Sequence, residues 1–101
     1  MPVRVGVLGF GAIGRSVVDS LLGHKEEFNL IGFSDVEQVD DSPIPQLPVG
    51  EMIQSSDIVV EVASHAAVRQ YALQIIETGT DLLIVSVGAL ADRSLEEKLL
   101  A

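Results

Sequence analysis

No cysteine occurs in the sequence, which excludes disulfide cross-links and every metal site built on thiolates. Aromatic residues make up only 4%. The apolar content is therefore Val, Ile, Leu and Ala, a mix that suits strands buried on both faces with helices packed over them. Basic residues are few, six against fifteen acids, for a formal net charge of −9. From Asp35 to Glu61 every charged residue is acidic: Asp35, Glu37, Asp40, Asp41, Glu51, Asp57 and Glu61. A field of that sign repels phosphate backbones and argues against nucleic acid as a partner; most of these acids read as a solvated loop. No apolar run approaches the roughly 20 residues of a membrane span, and Met1-Pro2-Val3-Arg4 enters an apolar strand directly, without a signal-peptide layout. The expectation is a soluble cytoplasmic protein with no membrane partner. The 101 residues, 48% of them hydrophobic, fit one small domain with a core of its own. A chain this short buries a modest fraction of its surface, which leaves apolar area for a partner domain or subunit.

What is present alternates between two periods. Val3 to Leu8 is short, β-branched and apolar, and reads as a buried strand. Ala12 to Leu22 carries Ile13, Val17 and Leu21 on one face, with Val18 and Leu22 beside them, the spacing of a helix. Gly23 is placed to end it, with His24 and Lys25 suited to the negative end of its dipole. Phe28 to Phe33 reads as a second strand, closing at Ser34-Asp35. Three of the four prolines, Pro43, Pro45 and Pro48, follow, so 36–56 is read as a proline-rich acidic loop. Within it there is at most a vestigial edge strand near Leu47 to Val49 and a short helix over Glu51 to Ser55. Asp57 to Val62 is the next strand, unusual for Glu61, which needs a partner or an exposed end. Ser64 can cap a helix whose face is Val68, Tyr71, Ala72, Ile75 and Ile76, and Gly79 can close it. Leu82 to Val87 is a further strand. Ser94 and Glu97 then stand at capping-box spacing ahead of Leu95 and Leu99. This order predicts an α/β fold: a doubly wound parallel sheet between two helical layers.

The central motif is Gly9-Phe10-Gly11-Ala12-Ile13-Gly14, or G-x-G-x-x-G, which carries weight only in the right context. Here a buried strand precedes it, a helix opens within it and an acid closes the next strand. Gly9 allows the tight turn out of the strand, Gly11 lets backbone approach a diphosphate, and Gly14 lets the helix lie close to the sheet. Free N–H groups around Ala12 and Ile13 present partial positive charge. Asp35 lies about 20 residues beyond the turn, where a carboxylate accepts hydrogen bonds from the adenosine ribose of NAD and repels the extra phosphate of NADP. The combination predicts a Rossmann domain that binds NAD in preference to NADP. The ends of the following strands, Ala63-Ser64-His65 and Ser86-Val87-Gly88, fall on the same rim, where small residues leave room for the nicotinamide half. Small residues at strand ends are also common without any ligand, and Ser64 reads equally well as a helix cap.

The stretch DIVVEVASHAAVRQYALQIIETGTDLLIVSVGALAD, from Asp57 to Asp92, together with the G-x-G-x-I-G turn, resembles the L-aspartate dehydrogenase family. That resemblance implies oxidation of L-aspartate to iminoaspartate with NAD or NADP, a product able to feed NAD synthesis. It also implies a second domain supplying the substrate pocket, a catalytic histidine and much of a subunit interface, none of which these residues contain. The whole of 1–101 is thus read as a dinucleotide-binding domain with no catalytic residue and no metal site. The break at Ala101, inside a helical pattern, points to a boundary, with a catalytic domain or second chain to be supplied and a homo-oligomer possible. Against the family pattern the segment after Asp35 looks shortened, so the helix usual there is expected to be missing. His24 reads as a solvated residue after the first helix. His65 is placed to touch cofactor but has no substrate-holding cations beside it for acid–base work. Two other readings share the glycine turn: a nucleotide-sensing regulatory module, and the cofactor domain of a homoserine dehydrogenase or dihydrodipicolinate reductase relative.

Overall fold

The computed structural model describes residues 2–63 and 65–85. Seven elements follow in order: β1 Val3–Leu8, α1 Ala12–Leu22, β2 Phe28–Ser34, α2 Val49–Ser55, β3 Ile58–Glu61, α3 His65–Glu77 and β4 Asp81–Ile84. The strands form a parallel sheet in the order β2-β1-β3-β4. The chain therefore winds outward from β1 in one direction and then the other, the doubly wound arrangement expected from the alternating periods. Leu8 pairs with Ser34 on one side and Glu61 on the other, and Glu61 pairs with Ile84. The carboxyl ends of all four strands are thus level, and the turns that leave them share one rim.

Alternation along the strands divides the core between two layers. Val5, Val7, Phe33, Val60 and Val62 pack with Val18 of α1, flanked by Val17, Leu21 and Leu22. Leu8 and Val59 point the other way, against Met52 and Ile53 of α2 and Ile75 of α3. Phe33, Met52, Ile53 and Ile75 are the largest of the fully buried side chains, each worth about 1.5–3 kcal/mol of transfer from water. At the end of α3, Gly79 adopts φ +83°. Its N–H bonds to the Ile76 carbonyl, and the Thr80 N–H to the Ile75 carbonyl, a Schellman closure that glycine enters without Cβ strain. Gly23, at φ −73°, stays right-handed after α1, so its role there does not depend on being glycine.

The structure corrects several boundaries. The stretch read as 36–56 is loop only as far as Pro48: the short helix expected over Glu51 to Ser55 is present and begins two residues earlier, as α2. The vestigial edge strand is a single parallel bridge, Phe33 to Gln46. There the Phe33 N–H donates to the Pro45 carbonyl and the Leu47 N–H to the Phe33 carbonyl. Ile76 and Ile13, assigned to apolar faces, are 43% and 58% exposed. The expected final helix, with Ser94, Glu97 and Leu99, lies outside the described residues.

At the opposite, amino-terminal end of the central strands, Asp57 receives Arg4 in a forked pair, Nη2 to Oδ1 at 2.9 Å and Nε to Oδ2 at 3.3 Å, with the Arg4 backbone N–H at 2.8 Å from Oδ2. Hydrogen bonding from the Arg4 side chain and backbone holds the Asp57 carboxyl below its ordinary value. A depressed carboxylate stabilises the fold above its unfolded pKa, about 3.9, and that contribution is lost as pH falls through the folded value. Asp57→Asn is accordingly expected to flatten the acid side of the stability profile: its urea midpoint should drop less than that of the parent between about pH 6 and about pH 3. Because the pair is exposed, the difference is small, and parallel profiles would contradict the assignment.

Candidate dinucleotide site

The rim is organised by the turn that leaves β1. Gly9 turns at φ +101°, and its N–H donates to the Ser34 carbonyl at 2.8 Å. A Cβ on Gly9 would lie 2.6 Å from the backbone Cα of Ala63, so the turn after β1 and the end of β3 touch through bare backbone. A Cβ on Gly14 would run into the Gly9 carbonyl and stand 3.2 Å from Val62; its absence lets α1 lie close to the sheet. Gly11 differs from both. It is exposed, caps α1 without a side-chain hydrogen bond, and has nothing within 4 Å of its missing Cβ. The first backbone bond of α1 runs from the Arg15 N–H to the Gly11 carbonyl, at 2.9 Å. The N–H groups of Ala12, Ile13 and Gly14 therefore have no acceptor within the helix, and the positive end of its dipole opens onto the rim.

Asp35 is drawn into this turn. Its Oδ2 accepts the Phe10 N–H at 2.8 Å and its Oδ1 the Glu37 N–H at 3.0 Å. Each oxygen keeps a further lone pair for a ligand hydroxyl, and the half-buried carboxylate is fixed relative to the helix mouth. Between these groups lies a cleft of about 580 Å³, bounded by Gly9, Gly11, Ser34 and Asp35 on its polar side and by Val36, Val49, Ala66, Ala67, Gln70 and Tyr71 on the other. Small-molecule sites commonly have this size and this mixture of apolar wall and few polar groups.

The structure brings Gly9, Gly11, Asp35 and Ala63 around one cleft, with Ala12, Ile13 and Gly14 at the start of α1 beside it. Phe10 behaves differently from its expected part. Its ring is buried and stacked on Phe33, centroids 4.2 Å apart, and its N–H is already held by Asp35. His65 opens α3, and only its backbone is described. Ser64, Ser86, Val87 and Gly88 lie outside the described residues.

Three features escaped sequence reasoning. The first is the α3 wall: Ala66 with Gln70, and Ala67 with Tyr71, are pairs one turn apart on one helix face, a spacing that could have been read. The second is Gln46, whose side chain accepts the Val39 N–H at 2.9 Å and donates to the Glu37 carbonyl at 2.8 Å, closing the loop after Asp35 on itself. The third is Arg15. It forms an ion pair with Asp41, Nη2 to Oδ1 at 3.1 Å, and its guanidinium carbon stands 4.7 Å over the Phe10 ring. Both partners line a second concavity of about 450 Å³, on the α1 side of Asp35. Inside β3, Glu61 is fully buried, and its Oε2 accepts the Ala63 N–H at 2.8 Å, so the side chain that looked anomalous in the strand shapes the rim.

A family model described as homoserine dehydrogenase, NAD binding domain, matches residues 9–101. The chain belongs to that family. It is an NAD-binding domain of Rossmann type, as the glycine turn and Asp35 predicted. Its similarities to curated proteins carry the name anticipated from the glycine turn and the stretch from Asp57 to Asp92. The L-aspartate dehydrogenase of Archaeoglobus fulgidus is 36% identical over 90 residues, covering 88% of this chain and 36% of that protein. L-aspartate dehydrogenase 1 of Bordetella pertussis is 34% identical over 102 residues, covering 98% of this chain and 40% of that protein. The crystal structure of aspartate dehydrogenase from Thermotoga maritima superposes with a TM-score of 0.76 at 30% identity, over 99% of this chain and 40% of that one. An engineered D-amino acid dehydrogenase bound to NADP+ shares the fold alone, with a TM-score of 0.77 at 16% identity over 98% of this chain and 32% of that one. This NAD-binding domain therefore spans between 32% and 40% of the length of these relatives. Among the described residues no helix is long and apolar enough to cross a membrane, and no group of His, Cys, Asp or Glu side chains could hold a metal ion.

Proposed function

We propose that this chain is the cofactor-holding part of an oxidoreductase that oxidises L-aspartate to iminoaspartate, with NAD as the preferred acceptor. The observation that carries the reading is the placement of Asp35: a carboxylate fixed by two backbone N–H groups beside an uncapped helix mouth. The N–H groups of Ala12 and Ile13, reached past the bare Gly11, receive the diphosphate. Asp35 accepts the adenosine ribose hydroxyls. Val36, Val49 and Ala67 offer an apolar wall for the adenine. Ala63, Ser64 and His65, with Ser86, Val87 and Gly88, border the nicotinamide half. Bound NAD supplies the acceptor for the hydride that leaves the substrate Cα. The groups that hold aspartate and move its amino proton belong to a further domain or a second chain. Hydride transfer depends on holding both reactants in contact, and a cofactor domain supplies one side of that contact only.

Calorimetric titration of the 101-residue chain tests this reading. NAD and ADP-ribose are expected to bind within a few-fold of each other, because the adenosine and diphosphate contacts dominate, and NADP to bind more weakly by roughly tenfold or more, since its extra phosphate is set against the Asp35 carboxylate. No aspartate oxidation is expected from the chain alone. Absence of heat with ADP-ribose, or NADP as the tighter ligand, would overturn the reading. The family model's own name makes homoserine the runner-up substrate; identity to the aspartate enzymes favours aspartate.

A further inference from the structure

Arg15 stands in the first turn of α1, near the carboxylate proposed to hold the ribose, yet its charge is already engaged. Its guanidinium lies over the Phe10 ring and pairs with Asp41 across the concavity that Gly11, Asp35, Glu37 and Asp40 also line. That concavity adjoins the larger cleft, and Gly11 and Asp35 border both. A phosphate on the ribose 2′ oxygen would stand beside Asp35, within reach of this second concavity. An arginine there is the natural partner for such a phosphate, through a planar fork of donors. Here the fork faces Asp41, and the surrounding acids add repulsion.

We propose that Asp41 sequesters Arg15 and so acts, with Asp35, as a determinant of cofactor choice, keeping a latent 2′-phosphate site closed. The inference rests on the proposed binding mode and deepens it. The loop that carries Asp41 is held in place by Gln46, which grips Val39 and Glu37, and by the Ser34 hydroxyl, which donates to the Leu47 carbonyl at 2.6 Å. Asp41 is thus presented to α1 by an ordered segment, and its carboxyl is held below the usual range by the Arg15 hydrogen bond. It therefore stays ionised, and available to pair with Arg15, throughout the neutral range.

The test is calorimetric titration of NAD and NADP into the parent chain, Asp41→Asn, Arg15→Met and the double variant, with far-ultraviolet circular dichroism as a check on folding. Asp41→Asn is expected to strengthen NADP binding by roughly two- to fivefold relative to NAD, the scale of one exposed ion pair that no longer competes for Arg15. The gain should shrink as salt is raised and vanish in the double variant. If the gain persists without Arg15, general charge reduction is at work and the proposal fails. An unchanged NADP to NAD ratio in Asp41→Asn also contradicts it, while NAD binding by the parent would leave the dinucleotide reading standing. Failure of the parent to bind NAD at all would bring down both.

Discussion

Replacing Gly9 by alanine is expected to destabilise the domain by about 2–4 kcal/mol, the sum of backbone strain and overpacking. The strain arises because φ +101° is a conformation that side chains rarely adopt, and the overpacking because the new Cβ would stand 2.6 Å from the Ala63 backbone. Neither can relax alone. Moving the turn breaks the Gly9–Ser34 bond, and moving Ala63 disturbs the end of β3, where Glu61 holds the Ala63 N–H. For a domain of this size the loss corresponds to a fall in melting temperature on the order of 10–20 °C, measurable by circular dichroism. Gly11→Ala provides the contrast. Nothing lies within 4 Å of its missing Cβ, so stability should change by less than about 1 kcal/mol, yet the methyl would occupy the path of the diphosphate and weaken NAD binding. If the two variants melted alike, the distinction between a packing glycine and an approach glycine would be wrong.

Asp35→Ala is expected to weaken NAD binding by roughly 10- to 100-fold, since hydrogen bonds to a charged group contribute about 1.5–3 kcal/mol. The same change removes the acceptor of the Phe10 and Glu37 N–H groups, so a loss of about 1 kcal/mol in stability should accompany it. Asp35→Asn separates the two roles. The carboxamide keeps one acceptor oxygen but not the charge, so NADP should lose less than NAD and the preference between them should narrow. Dissociation constants for both dinucleotides, measured by titration, give the comparison. NAD affinity within twofold of the parent in Asp35→Ala would remove this residue from the site.

The glycine turn shows what a sequence discloses. The bounds of β1 and α1 agree with the expectations because a β-branched run and a sustained helical period are local signals, independent of the rest of the chain. β3 is shorter than its apolar run, because strand ends are set by hydrogen bonding to neighbours. α2 was underestimated since Val49 and Gly50 precede its acid and give little propensity signal. The order of the loop after Asp35 depends on Gln46, and the pairing of Arg15 on Asp41, 26 residues away; neither contact has a local signature. Phe10 sits inside the fingerprint by position, but its ring found Phe33 across the core. Motif spacing located the backbone of the site, and the side chains that border it became apparent only once the elements were packed.

A nitrogen–proton correlation spectrum of the labelled chain, recorded with and without NAD, tests the account most directly. Binding should move the amide signals of Gly11 to Gly14 and of Asp35 to Glu37, together with those of Ala66 and Ala67 at the start of α3. Shifts confined to the Arg4–Asp57 end of the strands, or no shifts at saturating cofactor, would show that the mouth of α1 does not receive the diphosphate.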